Sequence, residues 1–494
     1  MTSSKFSQKR SVKSYFEEIS AFDLFYQLTY MSATSAAGIS RARTFQLARE
    51  LPSPLAQYFR SIHQVAEKLR YNYPDAVRLV GEQATSEDTK SFLLRLSDAL
   101  RSGEPLPAFL RREAEVQGER YQNDYLKGLE SMKKWTDAYA AVAVSAALIV
   151  IINMVMTMIY NINATMMALM VFIAVAATFG VAWIIFRAAP QEVKSVPLAR
   201  GSKLQRLARQ LFILLVPTML IVCAWLAALG SSPGWLLIVA SLFLAPVGVV
   251  SGMVDQKISA KDMEISAFLR SVGGNATSRG TTLKDALATM KRDSFPALQP
   301  DIRMLDLRLK AFGKPDLCWR TFGLETGSKL AEQAVGIFYE AVNLGGDPER
   351  AGNLTSMFAM KTAMLRAQRA GVAATFSWLT IAMHVVMTAL MIFLLGILEQ
   401  FGIRLSDALS TLEGGSANMG VLGLQNMFTF STPQVQFLYA LTLGLVVLLA
   451  LINAFAVVAS QGAHFIKMTF YASILLFLSG LCFLWVPPMV KLVM

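Results

Sequence analysis

Cys223, Cys318, Cys482, His63, His384 and His464 are the only cysteines and histidines in the chain, and they are dispersed over 494 residues. These are the residue types that most readily bind transition metals or carry nucleophilic and proton-transfer chemistry near neutral pH. The cysteines lie far apart, so neither a disulfide framework nor a C-x-x-C metal site is predicted. The histidines occur singly. A phosphate cradle of the form G-x-x-x-x-G-K-S/T is missing as well, because Gly313-Lys314 is followed by Pro315 and lacks the upstream glycine. ATP hydrolysis by a P-loop is excluded, and no catalytic, cofactor-binding or metal-binding residue is assigned.

The remaining chemistry is that of charge and of polar groups in apolar surroundings. Hydrophobic residues make up 54% of the chain and charged residues 16%, with a mean hydropathy of +0.45. Soluble domains carry roughly a quarter charged residues, so the composition predicts a polytopic membrane protein. About 20 apolar residues cross the hydrocarbon core, and seven segments qualify: 138–160, 165–186, 211–229, 235–253, 372–398, 436–459 and 469–490. No Asp, Glu, Lys or Arg stands in the middle of any of them. Asn153, His384 and Asn453 are the polar candidates inside the spans. Such groups commonly join helices through hydrogen bonds of about 1 kcal/mol, and His384 draws further interest because ionisable groups are rare in membranes. Gly248-x-x-x-Gly252 permits close helix approach at the end of the fourth span.

Lysine and arginine set the orientation. With residues 1–137 inside, the inside segments hold 44 of the 46 basic residues, and only Arg404 and Lys491 fall outside. The hairpins 161–164 and 230–234 carry no charge, as outside turns do under the positive-inside rule. Seven spans then place the N-terminus in the cytoplasm and the C-terminus outside. Lys5, Lys9, Arg10 and Lys13 have no apolar run behind them, so no cleavable signal peptide is expected. The formal net charge of +12 follows from the same asymmetry, and nucleic acid is not a predicted partner. Membrane lipids are, through attraction of the basic face to anionic headgroups.

The elements that position these groups are duplicated. Gly38 corresponds to Gly280 and Gly103 to Gly345, an offset of 242 residues, with small-small-x-Gly-x-Ser/Thr around the first pair and acid-Ala-aliphatic-x-x-Gly before the second. A period this long reads as domain duplication. The four glycines are expected in interhelical turns that need a positive φ. Helical spacing (Phe22, Phe25, Leu28, Met31; Phe92, Leu96, Leu100) and the lack of β-branched alternation predict helical bundles. A charged helix is expected from about Ala108 to Lys134, with Glu115 and Glu119 flanked by Arg112 and Arg120 in i,i+4 fashion, entering the membrane at Trp135 and Tyr139. Thr282 with Asp285 predicts an N-cap, and Asp347-Pro348-Glu349 a helix start. The fold class is all-α, about seven transmembrane helices with two duplicated helical cytoplasmic domains. The expected order is a basic arm (1–16), the first domain (17–137), spans one and two (138–186), a basic loop (187–210), spans three and four (211–253), the second domain (254–371), span five (372–398), an external loop (399–435) and spans six and seven (436–490).

Three stretches carry a resemblance to a known family: Phe92-Leu-Leu-Arg-Leu-Ser-Asp-Ala-Leu-Arg-Ser-Gly-Glu104, Phe109-Leu-Arg-Arg-Glu-Ala-Glu-Val116 and Lys133-Lys-Trp-Thr-Asp-Ala-Tyr139. With the seven-span layout, they resemble the type II secretion F platform proteins, and within them the archaellum assembly protein J branch and related archaeal type IV pilus platforms. The resemblance covers most of residues 20–400 and is looser in the second domain. It implies a platform without chemistry of its own, on which a hexameric secretion ATPase docks to drive assembly of pilin- or archaellin-like filament subunits, and in an archaellum their rotation. It also implies a homodimer. The docking candidates are the basic residues Arg111, Arg112 and Arg120 of the first domain and Lys284, Lys291, Arg292, Arg303, Arg308, Lys310 and Lys314 of the second. A transporter with duplicated regulatory domains is the competing reading; it predicts midplane charges and broken helices in matching spans, and neither is evident. A membrane enzyme is disfavoured by the missing acid/base cluster.

Overall fold

The computed structural model describes residues 19–159, 164–197, 201–311, 313–413 and 432–493. These residues form helices and short turns, with no β-strand among them. In chain order the helices are α1 (Ala21–Ser35), α2 (Arg41–Glu50), α3 (Ala56–Lys68), α4 (Tyr73–Glu82), α5 (Glu87–Ser102), α6 (Leu106–Ile159), α7 (Ala164–Ala188) and α8 (Lys203–Ala228). There follow α9 (Pro233–Arg279), α10 (Leu283–Thr289), α11 (Gln299–Lys310), α12 (Pro315–Glu325), α13 (Lys329–Asn343), α14 (Pro348–Glu413), α15 (Thr432–Gln461) and α16 (Met468–Val493). The chain divides into two compact units, one of residues up to Tyr125 with Ala260–Met364, the other of Leu126–Ser259 with Leu365–Met494.

The 242-residue offset sets the layout of the first unit. α4, α5 and α6 begin at residues 73, 87 and 106, and α12, α13 and α14 begin at 315, 329 and 348. The landmarks are built alike in both copies. Gly38 has φ +76° and Gly280 φ +61°, and two residues after each a hydroxyl caps the next helix: Ser40 accepts from the Arg43 N–H and Thr282 from the Asp285 N–H. Gly103 (φ +81°) and Gly345 (φ +91°) end α5 and the turn after α13, where an L side chain would strain the backbone. Asp347 opens α14 by accepting from the Arg350 N–H and from the Thr277 hydroxyl. That hydroxyl bond, foremost, holds the Asp347 carboxyl below the usual carboxylate range.

The two copies share one core. Phe25 of α1, Tyr121 of α6 and Phe358 of α14 pack at ring-centroid distances of 5.1 and 6.0 Å from Phe25, all three buried. Each fully buried aromatic side chain contributes about 1.5–3 kcal/mol. α9 and α14 cross closely because Gly273 and Gly352 lack side chains: a Cβ on Gly273 would stand 2.3 Å from the Pro348 carbonyl oxygen.

Seven helices among the described residues are long and apolar enough to cross a membrane. The protein is a multi-pass membrane protein, and the apolar windows of these helices fall in α6, α7, α8, α9, α14, α15 and α16. Gly248 lies against the Phe470 backbone, where a Cβ would come within 2.5 Å of Cα, so this glycine of the G-x-x-x-G pair permits the α9–α16 crossing, whereas a Cβ on Gly252 would make only an ordinary contact at 3.9 Å. Three expectations need correction. α14 continues to Glu413 and α15 begins at Thr432, so much of the stretch expected as a loop over 399–435 is helix; Leu405, Leu409 and Leu412 keep a helical spacing there, and residues 414–431 lie outside the described residues. Tyr139, expected at the headgroups, is fully buried. Arg112 and Arg120 pair off their own helix rather than with Glu115 and Glu119, because packing against α6 brings Glu104 and Asp88 within reach.

Candidate functional site

All ten basic docking candidates fall in the first unit, and they divide by partner. Arg112 meets Glu104 at 3.0 Å and Arg120 meets Asp88 at 2.7 Å. Arg308 makes a bidentate pair with Glu325 at 2.7 Å, and Lys310 reaches Asp306 at 2.8 Å. Their charge is largely spent at short range. Arg111, Lys291, Arg303 and Lys314 are exposed with no ionic partner among the described residues. Lys284 is half-buried and engaged in its own contacts. The Arg292 side chain lies outside the described residues.

A second group of residues, missed in the sequence, holds the segment 189–196 inside the second unit. Arg369, 5% exposed, donates to three carbonyl oxygens: Nε to Ser460 at 2.8 Å, Nη1 to Pro190 at 2.7 Å and Nη2 to Ala459 at 2.9 Å. One turn earlier, Arg366 Nε donates to Glu192 Oε1 at 2.7 Å. Asp255 of α9 accepts from Lys194 at 2.5 Å and from Lys467 at 2.7 Å, one lysine on each carboxylate oxygen. A guanidinium offers five donors in a rigid fork, which lets Arg369 tie the end of α15 to the chain after α7. The available signal was the spacing of Arg366 and Arg369 on one helix face just before a span, and Lys467 as the sole charge between the last two spans.

Within the spans, His384, Asn453, Tyr139 and Ser479 form one hydrogen-bonded chain. The Tyr139 hydroxyl donates to Asn453 Oδ1, and Asn453 Nδ2 donates to His384 Nδ1 at 3.1 Å. His384 Nε2 then stands 2.9 Å from Ser479 Oγ, whose hydroxyl donates to the Leu475 carbonyl at 2.8 Å. This direction of donors requires a neutral imidazole carrying its proton on Nε2. The chain joins α6, α14, α15 and α16, and every member is buried. Asn153 is buried apart from it, lining a small cavity with Val150, Met167 and Leu438. Among the described residues no cluster of three or more His, Cys, Asp and Glu is arranged to hold a metal ion, and the three cysteines are free thiols.

The arrangement is a duplicated helical unit leading twice into apolar spans, with buried polar ties among the spans. The family described as "Type II secretion system (T2SS), protein F" matches residues 28–158. Over this region the chain is similar to type II secretion F proteins, and over a longer stretch to proteins named Flagella accessory protein J. It is similar to "Flagella accessory protein J" of Methanocaldococcus jannaschii, 26% identical over 336 residues, covering 64% of this chain and 58% of that protein. It is also similar to "Flagella accessory protein J" of Methanococcus voltae, 21% identical over 323 residues, covering 63% of this chain and 58% of that protein. The match thus spans less than two thirds of the length of either relative. No solved structure matches the chain.

Proposed function

We propose that the protein is the integral membrane platform of an archaeal type IV pilus-like machine, coupling a cytoplasmic secretion ATPase to assembly of a pilin-like filament and, if the machine is an archaellum, to its rotation. The duplication carries this reading: each copy of the helical unit ends in a helix, α6 or α14, that continues unbroken into an apolar span. A helix with an intact hydrogen-bond ladder is a stiff connector, suited to pass displacement from a soluble face towards the bilayer. The family relatives support the same machine.

The ATPase docks, on this reading, where basic charge is left uncompensated: Arg111, Lys291, Arg303 and Lys314, with the paired Arg112, Arg120, Arg308 and Lys310 setting the shape of the face. The N-terminus is cytoplasmic, the C-terminus external, and two copies act together on a hexameric motor. Reversing Arg303 and Lys314 to glutamate should weaken ATPase capture in a pull-down at least ten-fold and leave the melting temperature unchanged, because neither side chain has an ionic partner among the described residues. Unchanged capture would remove this cluster from the account.

A further inference from the structure

A cavity of about 480 Å³ opens in the first unit where α1 and the end of α2 face α12 and α13. Small-molecule sites commonly have volumes of about 300–1,000 Å³. Tyr26 and Tyr30 of α1 line it; they are 6% and 7% exposed, and their hydroxyls have no hydrogen-bond partner among the described residues. Polar groups set this deep are normally hydrogen-bonded, and two unpartnered hydroxyls left accessible on the wall of one cavity point to a polar occupant.

The charges indicate its sign. Glu50, Asp316, Glu332 and Glu340 stand on the walls, against Arg320 and Lys329. Lys329 is already engaged by Glu332 at 2.8 Å. Glu50 lies 4.0 Å from Arg49, and Asp316 and Glu340 have no ion pair among the described residues. Arg43, the further cation near Glu340, donates to Gln46 at 2.9 Å. Burial, and then the neighbouring Asp316, push the Glu340 carboxyl up; burial and the facing carboxylates do the same to both phenols. Trp319 and Tyr339, stacked at 6.0 Å, add an aromatic wall, and such surfaces attract organic cations.

We propose that this cavity binds a small organic cation, an alkylammonium or guanidinium group, with Asp316 and Glu340 opposing its charge and the Tyr26 and Tyr30 hydroxyls accepting its N–H groups. Gly336 of α13 gives a way to close the site without touching a charge. It lines the cavity, and a Cβ built on it meets nothing within 4 Å.

Titration calorimetry on the detergent-solubilised full chain, with agmatine, spermidine, a short arginine peptide and calcium chloride as separate probes, tests this. At least one cationic probe should bind saturably. Asp316→Asn and Glu340→Gln should each weaken it ten-fold or more, and Gly336→Phe should abolish it, with melting temperatures showing that the variants fold. Binding of agmatine or spermidine assigns a free amine as occupant; binding of the peptide alone, with the same dependence on Asp316 and Glu340, assigns a side chain of a polypeptide. No binding at millimolar probe, equal affinity in the variants, or binding of calcium alone would overturn the proposal. None of these readouts involves an ATPase, so failure here leaves the platform reading untouched.

Discussion

Replacing Glu192 by glutamine should destabilise the second unit far more than an ordinary surface change. The side chains of Arg366 and Glu192 are 9% and 8% exposed, with Nε and Oε1 at 2.7 Å. The amide keeps the volume of the carboxylate but withdraws the negative charge that Glu192 sets against the buried guanidinium, and removing one partner of a buried pair costs about 3–5 kcal/mol. Replacing both partners by methionine removes the pair without stranding a charge, and the double variant should lie within about 1–2 kcal/mol of the parent. Denaturant unfolding of the parent, Glu192→Met, Arg366→Met and the double methionine variant in one detergent closes a double-mutant cycle, from which the coupling energy follows directly. A Glu192→Gln effect below about 1 kcal/mol, the range of exposed pairs, would refute the reasoning: the pair would then be solvated, and segment 189–196 would not be held by it.

Gly103→Ala should lower stability by about 1–2 kcal/mol, the penalty of a Cβ in the left-handed region, because φ is +81° and no neighbour lies within 4 Å to add a contact; a melting curve checks it. Asn453→Leu should cost about 1–3 kcal/mol by leaving the Tyr139 hydroxyl and His384 Nδ1 without a partner, and Asn453→Asp should not restore the parent stability, since it removes the donor to Nδ1. The Glu340 carboxyl, raised by burial and by Asp316, binds its proton more tightly folded than unfolded, so its contribution to stability grows as pH falls from neutral through the raised value. Glu340→Gln should therefore be more stable than the parent at neutral pH, with the difference vanishing toward pH 4.5, the ordinary value; melting temperatures across that range would show it.

Local signals made much of this architecture readable. Glycines 38, 103, 280 and 345, followed by the hydroxyl caps Ser40 and Thr282 or by Pro105 and Pro348, announce helix ends because only a few residue types relieve the backbone there. Long apolar runs announce spans because the bilayer fixes their length. His384 and Asn453 stood out for the same reason, as polar groups within those runs. Partners distant along the chain were not readable. Arg366 meets Glu192 across 174 residues, and Asp255 meets Lys467 across 212; no periodicity encodes such pairings. Residue type alone places Tyr139 at the headgroups, whereas packing turns it inward to Asn453. The continuation of α14 past residue 398 is legible only in the helical spacing that persists to Leu412, because apolar character fades there.

The platform account is tested most directly by ATP turnover of a secretion-type ATPase encoded in the same genome, each such ATPase being measured with and without the full chain in detergent or nanodiscs. Coupling between two sites is reciprocal in binding free energy, so the account predicts specific capture of the ATPase, a change in its turnover, and loss of both on reversing Arg303 and Lys314. Folded protein that neither binds any such ATPase nor alters its turnover would contradict the central claim.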